Sequence, residues 1–243
     1  NAYDNYYMAN PYKRLVARGR YGTRELDEKV RRVLRLMFRT SMNRRRPYGF
    51  LCSENHYDAA RRIADEGIVL LKNDRNLLPI PTGKRILVVG ENAVKMMTVG
   101  GGSSSLKVQR EVLPLDGLRE RFGADRVDFA RGYVGDTIQS YNGVTVGRSL
   151  YETRTAAELQ AEAVDKARQA DYVVFFGGLN KADHQDSEGH DRQSYALPYG
   201  QDELVRALLA ANKNLVFVNI SGNAVEMPWI AQVTAVVQGW FLG

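Results

Sequence analysis

The chain has 243 residues, of which 44% are hydrophobic and 26% charged, a composition typical of a globular protein with one large domain or two small ones. No apolar stretch reaches the roughly 18 residues of a membrane-spanning helix, so we expect no membrane partner. The only cysteine, Cys52, excludes an internal disulfide and a cysteine-based zinc site.

The net charge of +6 is unevenly distributed along the chain. Residues 1–80 carry a net charge of +8, and residues 81–243 carry −2. The excess is concentrated in residues 29–49, KVRRVLRLMFRTSMNRRRPYG. Clustered Lys and Arg can neutralise phosphates, but these arginines are not interleaved with base-stacking aromatic residues and lie in no nucleic-acid motif. We therefore expect a basic helix face that docks on an acidic part of the same protein, and no nucleic-acid partner.

Residues 23–42 predict an amphipathic helix with Thr23 as its N-cap. Apolar residues recur at the spacing of one helical face: Leu26, Val30, Val33, Leu34, Met37 and Phe38. Residues 10–20 form at most one shorter helix, which is too small to cover that face. We therefore expect residues 1–42 to be the end of a domain whose body lies upstream. Residues 43–67 then form an interdomain linker and a helix.

From residue 68 onward, strands that are apolar throughout alternate with amphipathic helices. Strands are predicted at residues 68–74, 85–90, 126–132, 171–179, 214–220 and 233–241, and helices at residues 115–123, 156–170 and 200–213. This alternation predicts an α/β fold with a mainly parallel sheet that helices cover on both faces, over residues 68–243. Ligands of such sheets bind at the carboxyl ends of the strands.

Three polar loops follow predicted strands, at residues 90–107, 186–198 and 221–229. If the topology is right, these loops converge on one edge of the sheet. The first contains GGGSSS but matches neither of the usual phosphate-binding glycine patterns. Two interpretations stay open for it: a flexible loop, or a loop whose backbone approaches a polar ligand such as a sugar.

The second loop, DSEGHDRQSYALP, contains more ionisable groups than a tight strand-to-helix connection needs. Glu188 lies between two small residues, which leaves its carboxylate reachable. Asp186 and Asp191 favour protonation of that carboxylate by like-charge repulsion, whereas Arg192 opposes it, so the sign of the net effect stays open. A carboxyl group that is protonated near neutral pH is suited to general acid catalysis.

Other chemistries find less support in the sequence. His184 and His190 flank Glu188, but candidate metal ligands crowded into one loop lack the fixed spacing of a metal site, so we expect no metal. No Gly-x-Ser-x-Gly motif is present, which argues against a serine hydrolase triad.

Six motifs, in this order and spacing, resemble the second, α/β-sandwich domain of glycoside hydrolase family 3. They are ADEGIVLLKNDRNLLPI, ILVVGENA, GGGSSS, VLPLDGLRERFG, SEGHDRQSYALPYGQDELVRALLAAN and SGNAVEMPWIAQVTAVVQGWFLG. Residues 23–42 resemble the last helix of that family's N-terminal (β/α)8 barrel. The resemblance implies a retaining β-glycosidase without a cofactor, most similar to β-glucosidases that hydrolyse terminal β-D-glucosyl residues from short β-glucosides.

The resemblance also implies roles for individual residues. Glu188 matches the general acid/base that many family members carry in this domain. Asp191 and Arg192 match the Asp-Arg pair behind it, which would fix the loop, with Arg192 paired to a carboxylate. Gly102 and Ser103 match a loop near the sugar and are weaker candidates for substrate contacts.

The nucleophilic aspartate of the family belongs to the barrel, and neither Asp4 nor Asp27 has the sequence context to replace it. We therefore expect a chain that is incomplete at both ends and holds half of an active site, with the missing barrel as its partner, either upstream or as a separate chain. A periplasmic or secreted protein is the expectation, with the cytoplasm kept as an alternative. The choice between glucoside and xyloside and a homo-oligomeric state stay open. A non-catalytic ligand-binding or structural α/β module is the alternative to an enzyme.

Overall fold

The computed structural model describes residues 6, 9–45, 49–98, 106–135, 140–141, 144–145, 150–182, 184–188 and 191–241. The chain divides into two compact units, Asn1–Ser53 and Glu54–Gly243. Within the described residues, no helix is both long and apolar enough to cross a bilayer. The domain boundaries at residues 42 and 67 stay predictions.

The first unit contains two helices, α1 (Asn10–Ala17) and α2 (Arg24–Arg39). Thr23 occupies the N-cap position of α2, but its hydroxyl donates to the Asp27 carboxylate at 3.3 Å and caps no backbone N–H group. No residue of α2 is buried. On its predicted apolar face Leu26 is half-buried, and the other five side chains are exposed by 40–60%. The partner expected for this face therefore stays a prediction.

The second unit is an α/β structure. Its elements are α3 (Glu54–Gly67), β1 (Val69–Asn73), β2 (Ile86–Val89), α4 (Pro114–Phe122), β3 (Val127–Ala130), β4 (Ser140–Tyr141), β5 (Val144–Thr145), α5 (Ala156–Gln169), β6 (Tyr172–Gly178), α6 (Gln201–Ala211), β7 (Leu215–Ile220) and β8 (Ala235–Gln238). Six strands form one sheet in the order β1-β8-β7-β6-β2-β3, and β4 pairs with β5 separately. Only the β1–β8 pair within the six-stranded sheet is antiparallel. The predicted mainly parallel sheet is confirmed.

The sheet has a hydrophobic core on each face, because successive side chains of a strand point to opposite sides. In β2, Leu87 and Val89 belong to one core, which α5 and α6 cover with residues such as Ala163 and Leu208. Ile86 and Val88 belong to the other core, where they join α4 residues such as Leu115. Helices on both faces make this unit an α/β sandwich, as predicted.

Strand β1 differs from the rest of the sheet. It lies at the edge, and its apolar residues Val69, Leu70 and Leu71 are 44–55% exposed. None of the α3 residues is buried either. The apolar residues of β1 are therefore exposed, whereas most of the apolar residues of β2, β6 and β7 are buried.

Candidate active site at the carboxyl edge of the sheet

The carboxyl ends of β2, β6 and β7 meet at one edge, because these strands are parallel neighbours. Side chains join the loops that follow them. The Asn92 amide, after β2, donates to the carbonyls of Gly177 and Leu179 at 3.1 and 3.0 Å. Asp186, after β6, accepts from the backbone N–H of Gly222, after β7, at 2.6 Å. The three polar loops converge as predicted, as far as their described residues extend.

Two glycines allow these loops to leave their strands close to the neighbouring backbone. Gly90, after β2, has φ +103°, and a Cβ atom there would lie 2.3 Å from the carbonyl oxygen of Phe176. Gly178, at the end of β6, has φ +107°, and its Cβ atom would lie 2.3 Å from the carbonyl oxygen of Ile220. Residues with a side chain rarely adopt such φ values, so glycine is required at both strand ends.

A buried ion pair lies beneath the loops. Glu91 is fully buried and Arg131 is only 7% exposed, and an Nη2–Oε2 distance of 3.2 Å separates them. Asn180 donates from Nδ2 to the other carboxylate oxygen of Glu91, also at 3.2 Å. Burial raises the pKa of the nearby Tyr133 phenol well above its ordinary value, and the charge of Glu91 adds to the effect. The ion pair thus connects the β2, β3 and β6 sides of this edge.

The same network fixes the start of the β6 loop. The Asn180 side-chain oxygen accepts from the Ala182 N–H at 2.7 Å, and the Asn180 backbone N–H donates to Gln185 Oε1 at 3.0 Å. Gln185 also donates from Nε2 to the Tyr199 hydroxyl at 2.5 Å. Since Asn180 and Gln185 are both buried, each polar group that they satisfy would be costly to leave unpaired. The loop therefore leaves the sheet from a firmly bonded base.

Glu188 follows this hydrogen-bonded start of the loop. Its side chain is exposed, as is that of Asp191, and the intervening Gly189 and His190 lie outside the described residues. The sequence thus places an accessible carboxylate at the edge where ligands of parallel sheets bind. Such a group can donate a proton to a molecule brought from outside the domain.

Arg192 closes the same loop. It donates from Nη2 to Asn223 Oδ1 and to the carbonyl oxygen of Ala224, both at 2.5 Å. Asp186 accepts from Asn223 Nδ2. The described hydrogen-bond partners of Arg192 are therefore an amide and a backbone carbonyl, and its expected pairing with a carboxylate stays a prediction. Asn223 was not predicted from the sequence to contact either residue.

A cavity of about 510 Å³ lies beside the loop, within the usual size range of small-molecule sites. Lys181, Asp186, Tyr195 and Phe241 are among the residues that line it. The Lys181 ammonium lies 3.7 Å from the centre of the Phe241 ring. Partial burial lowers the pKa of Lys181, and the charge of Asp186 opposes this shift. Glu188 does not line this cavity, although its neighbour Ser187 does.

Not every predicted site residue is described. Gly102 and Ser103, the weaker candidates for sugar contacts, lie outside the described residues, and so does His190. His184 Nδ1 lies 3.4 Å from the carbonyl oxygen of Asp191, within the loop itself. In the part of the chain that the structure describes, no group of His, Cys, Asp and Glu side chains has the arrangement of a metal site.

Sequence reasoning missed the side chains that organise the loop, namely Glu91, Asn180, Gln185, Tyr199 and Asn223. Two of them had a usable signal, because Glu91 and Asn180 each come within two residues of the end of a buried strand. Tyr199 and Asn223 contact residues distant in sequence, and Gln185 contacts Tyr199 as well as the nearer Asn180; no local pattern reveals such partners.

Comparison with known proteins agrees with this architecture. Residues 68–243 match the model of the glycosyl hydrolase family 3 C-terminal domain. The chain is 49% identical to "Beta-glucosidase BoGH3A" of Bacteroides ovatus, over 99% of the chain and 32% of that protein. It is 30% identical to "Thermostable beta-glucosidase B" of Acetivibrio thermocellus, over 94% of the chain and 28% of that protein.

A solved structure is similar as well. The family 3 β-glucosidase of Bifidobacterium adolescentis superposes with a TM-score of 0.77 at 30% identity, over 98% of this chain and 32% of that one. The chain thus spans about a third of the length of these relatives. The family match, the relatives and the sandwich fold agree: this chain belongs to glycoside hydrolase family 3.

Proposed function

We propose that this chain supplies the general acid/base, Glu188, of a retaining β-glucosidase that acts on terminal β-D-glucosyl residues of short β-glucosides. The observation that carries the proposal is the exposed carboxylate of Glu188. It lies on a loop whose first residues are hydrogen-bonded into a buried network at the ligand-binding edge of the sheet. The name of the relative with 49% identity supports the reaction class.

In this reaction Glu188 acts twice. It first protonates the glycosidic oxygen while a carboxylate nucleophile attacks the anomeric carbon and forms a glycosyl-enzyme. It then removes a proton from the water molecule that releases the sugar with retained configuration. The two carboxyl groups must lie roughly 5–5.5 Å apart for this mechanism.

Among the residues that the structure describes, we propose no candidate for the nucleophile of this reaction. Asp27, on α2, is engaged with Thr23 at 3.3 Å. The proposal therefore requires a partner domain, the (β/α)8 barrel that carries the family's aspartate. The exposed apolar face of α2 supports such a partner, because a stable protein rarely leaves five large apolar side chains of one helix in water.

The test is Glu188→Ala in the enzyme that joins this chain to its barrel. General acid catalysis contributes about 10²–10⁴-fold, so alkyl glucosides, whose leaving groups need protonation, should lose turnover by that factor. Dinitrophenyl glucoside, whose leaving group departs unprotonated, should form the glycosyl-enzyme with little loss. Added azide should restore turnover and yield a β-glucosyl azide, since an anion needs no general base.

Glu226→Ala is the matched control. Glu226 is an exposed glutamate in the loop after β7, at the same edge of the sheet, and its described hydrogen bond uses only its backbone N–H, to the Tyr195 carbonyl at 2.7 Å. This variant should keep the turnover of both substrates. If Glu188→Ala lost turnover equally on good and poor leaving groups, and azide restored nothing, the proposal would be wrong. A non-catalytic binding or structural role would then be favoured.

A further inference from the structure

Both ends of the Glu188 loop are attached to one side chain in a different loop. Asp186, two residues before Glu188, accepts a hydrogen bond from Asn223 Nδ2. Arg192, four residues after Glu188, donates to Asn223 Oδ1 at 2.5 Å. The separation along the chain is 37 residues for the first pair and 31 for the second. Asn223 therefore joins two positions of the loop that bracket the proposed acid/base.

The chemistry of these contacts requires a side chain that both donates and accepts hydrogen bonds. A carboxylate only accepts hydrogen bonds and a guanidinium only donates them. Only a side chain that offers one donor and one acceptor, as Asn does, can bond to both Asp186 and Arg192. The opposite orientation of the Asn223 amide would place its NH₂ group against Arg192 and its oxygen against a carboxylate, so the two partners fix the orientation.

The backbone around Asn223 strengthens both attachments. Asp186 also accepts from the Gly222 N–H at 2.6 Å, and Arg192 also donates to the Ala224 carbonyl at 2.5 Å. Three consecutive residues, 222–224, thus hold the loop. They come shortly after β7, whose six residues all pair with β6, so the attachment point lies close to a fully paired strand.

We propose that Asn223 is a positioning residue for Glu188: by holding Asp186 and Arg192 together, it fixes where the acid/base carboxylate is presented. This inference rests on the proposed function of Glu188. Asn223 transfers no proton itself. Its effect is on geometry, and a displacement of about 1 Å in a catalytic group can cost on the order of 10²-fold in rate.

This role has a distinct kinetic signature. A displaced general acid fails most where the leaving group needs a proton, so the loss in kcat should increase with the pKa of the leaving group. The general destabilisation of a domain lowers the amount of active enzyme and affects all substrates alike. Dependence on the leaving group thus separates positioning from stability.

The experiment compares Asn223→Ala with Asn223→Asp in the enzyme that contains the barrel. Asn223→Ala releases both ends of the loop and should lower kcat on an alkyl glucoside by about 10–10²-fold, with KM nearly unchanged. The loss in glycosylation on dinitrophenyl glucoside should stay within about threefold, as expected where protonation matters little. Asn223→Asp keeps the acceptor for Arg192 but cannot donate to Asp186 and faces it with a second carboxylate, so its leaving-group dependence should also exceed that of the unmodified enzyme.

Asn212→Ala is the matched control, because Asn212 precedes β7 whereas Asn223 follows it. Its amide donates to the carbonyls of Ala167 and Ala170 at 2.9 and 2.8 Å, away from the loop. This variant should retain the leaving-group dependence of the unmodified enzyme, even where its melting temperature falls.

The outcomes separate the two proposals. If Glu188→Ala shows the leaving-group dependence and both Asn223 variants show none, the positioning role is wrong while the proposed function holds. If Glu188→Ala itself shows no such dependence, the proposed function fails first. An equal dependence for Asn212→Ala and Asn223→Ala would also overturn the positioning role, because it would reflect loss of stability. If Asn223→Ala does not fold, Asn223→Asp, which retains one attachment, decides between these outcomes.

Discussion

The two edges of the sheet use polar side chains in different ways. At the amino edge, side chains bond to backbone: the Asn212 amide donates to two carbonyls at the C-terminal end of α5, and the Asp171 carboxylate accepts from the Arg85 N–H at 2.8 Å. At the carboxyl edge, side chains bond to backbone as well, and they also bond to one another across loops, as in the Glu91–Arg131 ion pair and the attachment of Arg192 to Asn223.

This difference indicates what each edge does. A side chain that satisfies a backbone group closes a turn, and the fold needs that at any helix or strand end. A network of side chains fixes the position of one loop relative to another, which folding alone does not need. Networks of this kind are costly when only partly satisfied, so their presence marks the edge at which geometry matters.

The largest expected effect tests the buried network. Glu91→Ala leaves Arg131 buried without its carboxylate, and the loss of one partner from a buried ion pair typically costs about 3–5 kcal/mol. Urea unfolding of the enzyme should show a decrease of that size. Glu203→Ala removes one partner of an exposed pair with Arg206, at 3.6 Å, and should change the unfolding free energy by about 0–1 kcal/mol. Equal losses in the two variants would contradict the distinction between the edge network and surface charge.

The next effect tests the close approach of the loops. Gly90→Ala imposes a strained φ, which costs about 1–3 kcal/mol, and drives a Cβ atom against the Phe176 carbonyl oxygen. Gly83→Ala is the matched control, because its φ is +82° but nothing lies within 4 Å of its Cβ position. Thermal unfolding should show a greater loss of stability for Gly90→Ala. Equal losses would mean that strain alone explains the glycine.

A smaller effect is expected at the amino edge. Asn212→Ala removes two hydrogen bonds to carbonyls, and an unsatisfied buried polar group costs about 1–3 kcal/mol. Denaturant unfolding should show a loss toward the low end of that range, because Asn212 is only half-buried. A change in substrate preference of this variant would contradict the assignment of the amino edge to stability alone.

The smallest effect depends on pH. A hydrogen bond from the Arg85 N–H holds the pKa of Asp171 below its ordinary value, and the charges of Lys84 and Arg85 add to this. Because the folded-state pKa is the lower one, the stabilisation is present above the unfolded-state pKa of about 3.9 and is lost as the pH falls through the folded-state value. Asp171→Asn should therefore be less stable than the unmodified enzyme at pH 6, and the difference should narrow below about pH 4. A difference that stays constant with pH would show that the charge of Asp171 contributes nothing.

Much of the second unit could be predicted from the sequence. The alternation of apolar runs with amphipathic segments located the strands of the six-stranded sheet and the helices between them. Strands that are buried on both faces require such apolar runs. The same signal misled at β1, since the apolar run VLL is as hydrophobic as a buried strand yet lies exposed at the edge. Position within a sheet depends on pairing, and the pattern of a single strand carries no information about it.

The candidate site was predictable only in part. The composition of residues 186–192 singled out the loop, because so many charges at the end of a buried strand are unusual, whereas the role expected of Glu188 came from the resemblance to the family. Its supports were harder to predict: Glu91 closely follows a buried strand, but its partner Arg131 lies 40 residues away, and glutamate is rarely buried. Asn223 was similarly hidden within the stretch SGNAVEMPW, where a small polar residue is what any turn would contain.

The attachment at Asn223 acts as a crosslink in a chain with a single cysteine. It holds Asp186 and Arg192 together, and the entropy cost of closing so short a stretch of chain is small. A disulfide would impose the same closure but would open under reducing conditions. Hydrogen bonds through an amide have no such sensitivity, so the loop should stay closed equally well in oxidising and in reducing solution.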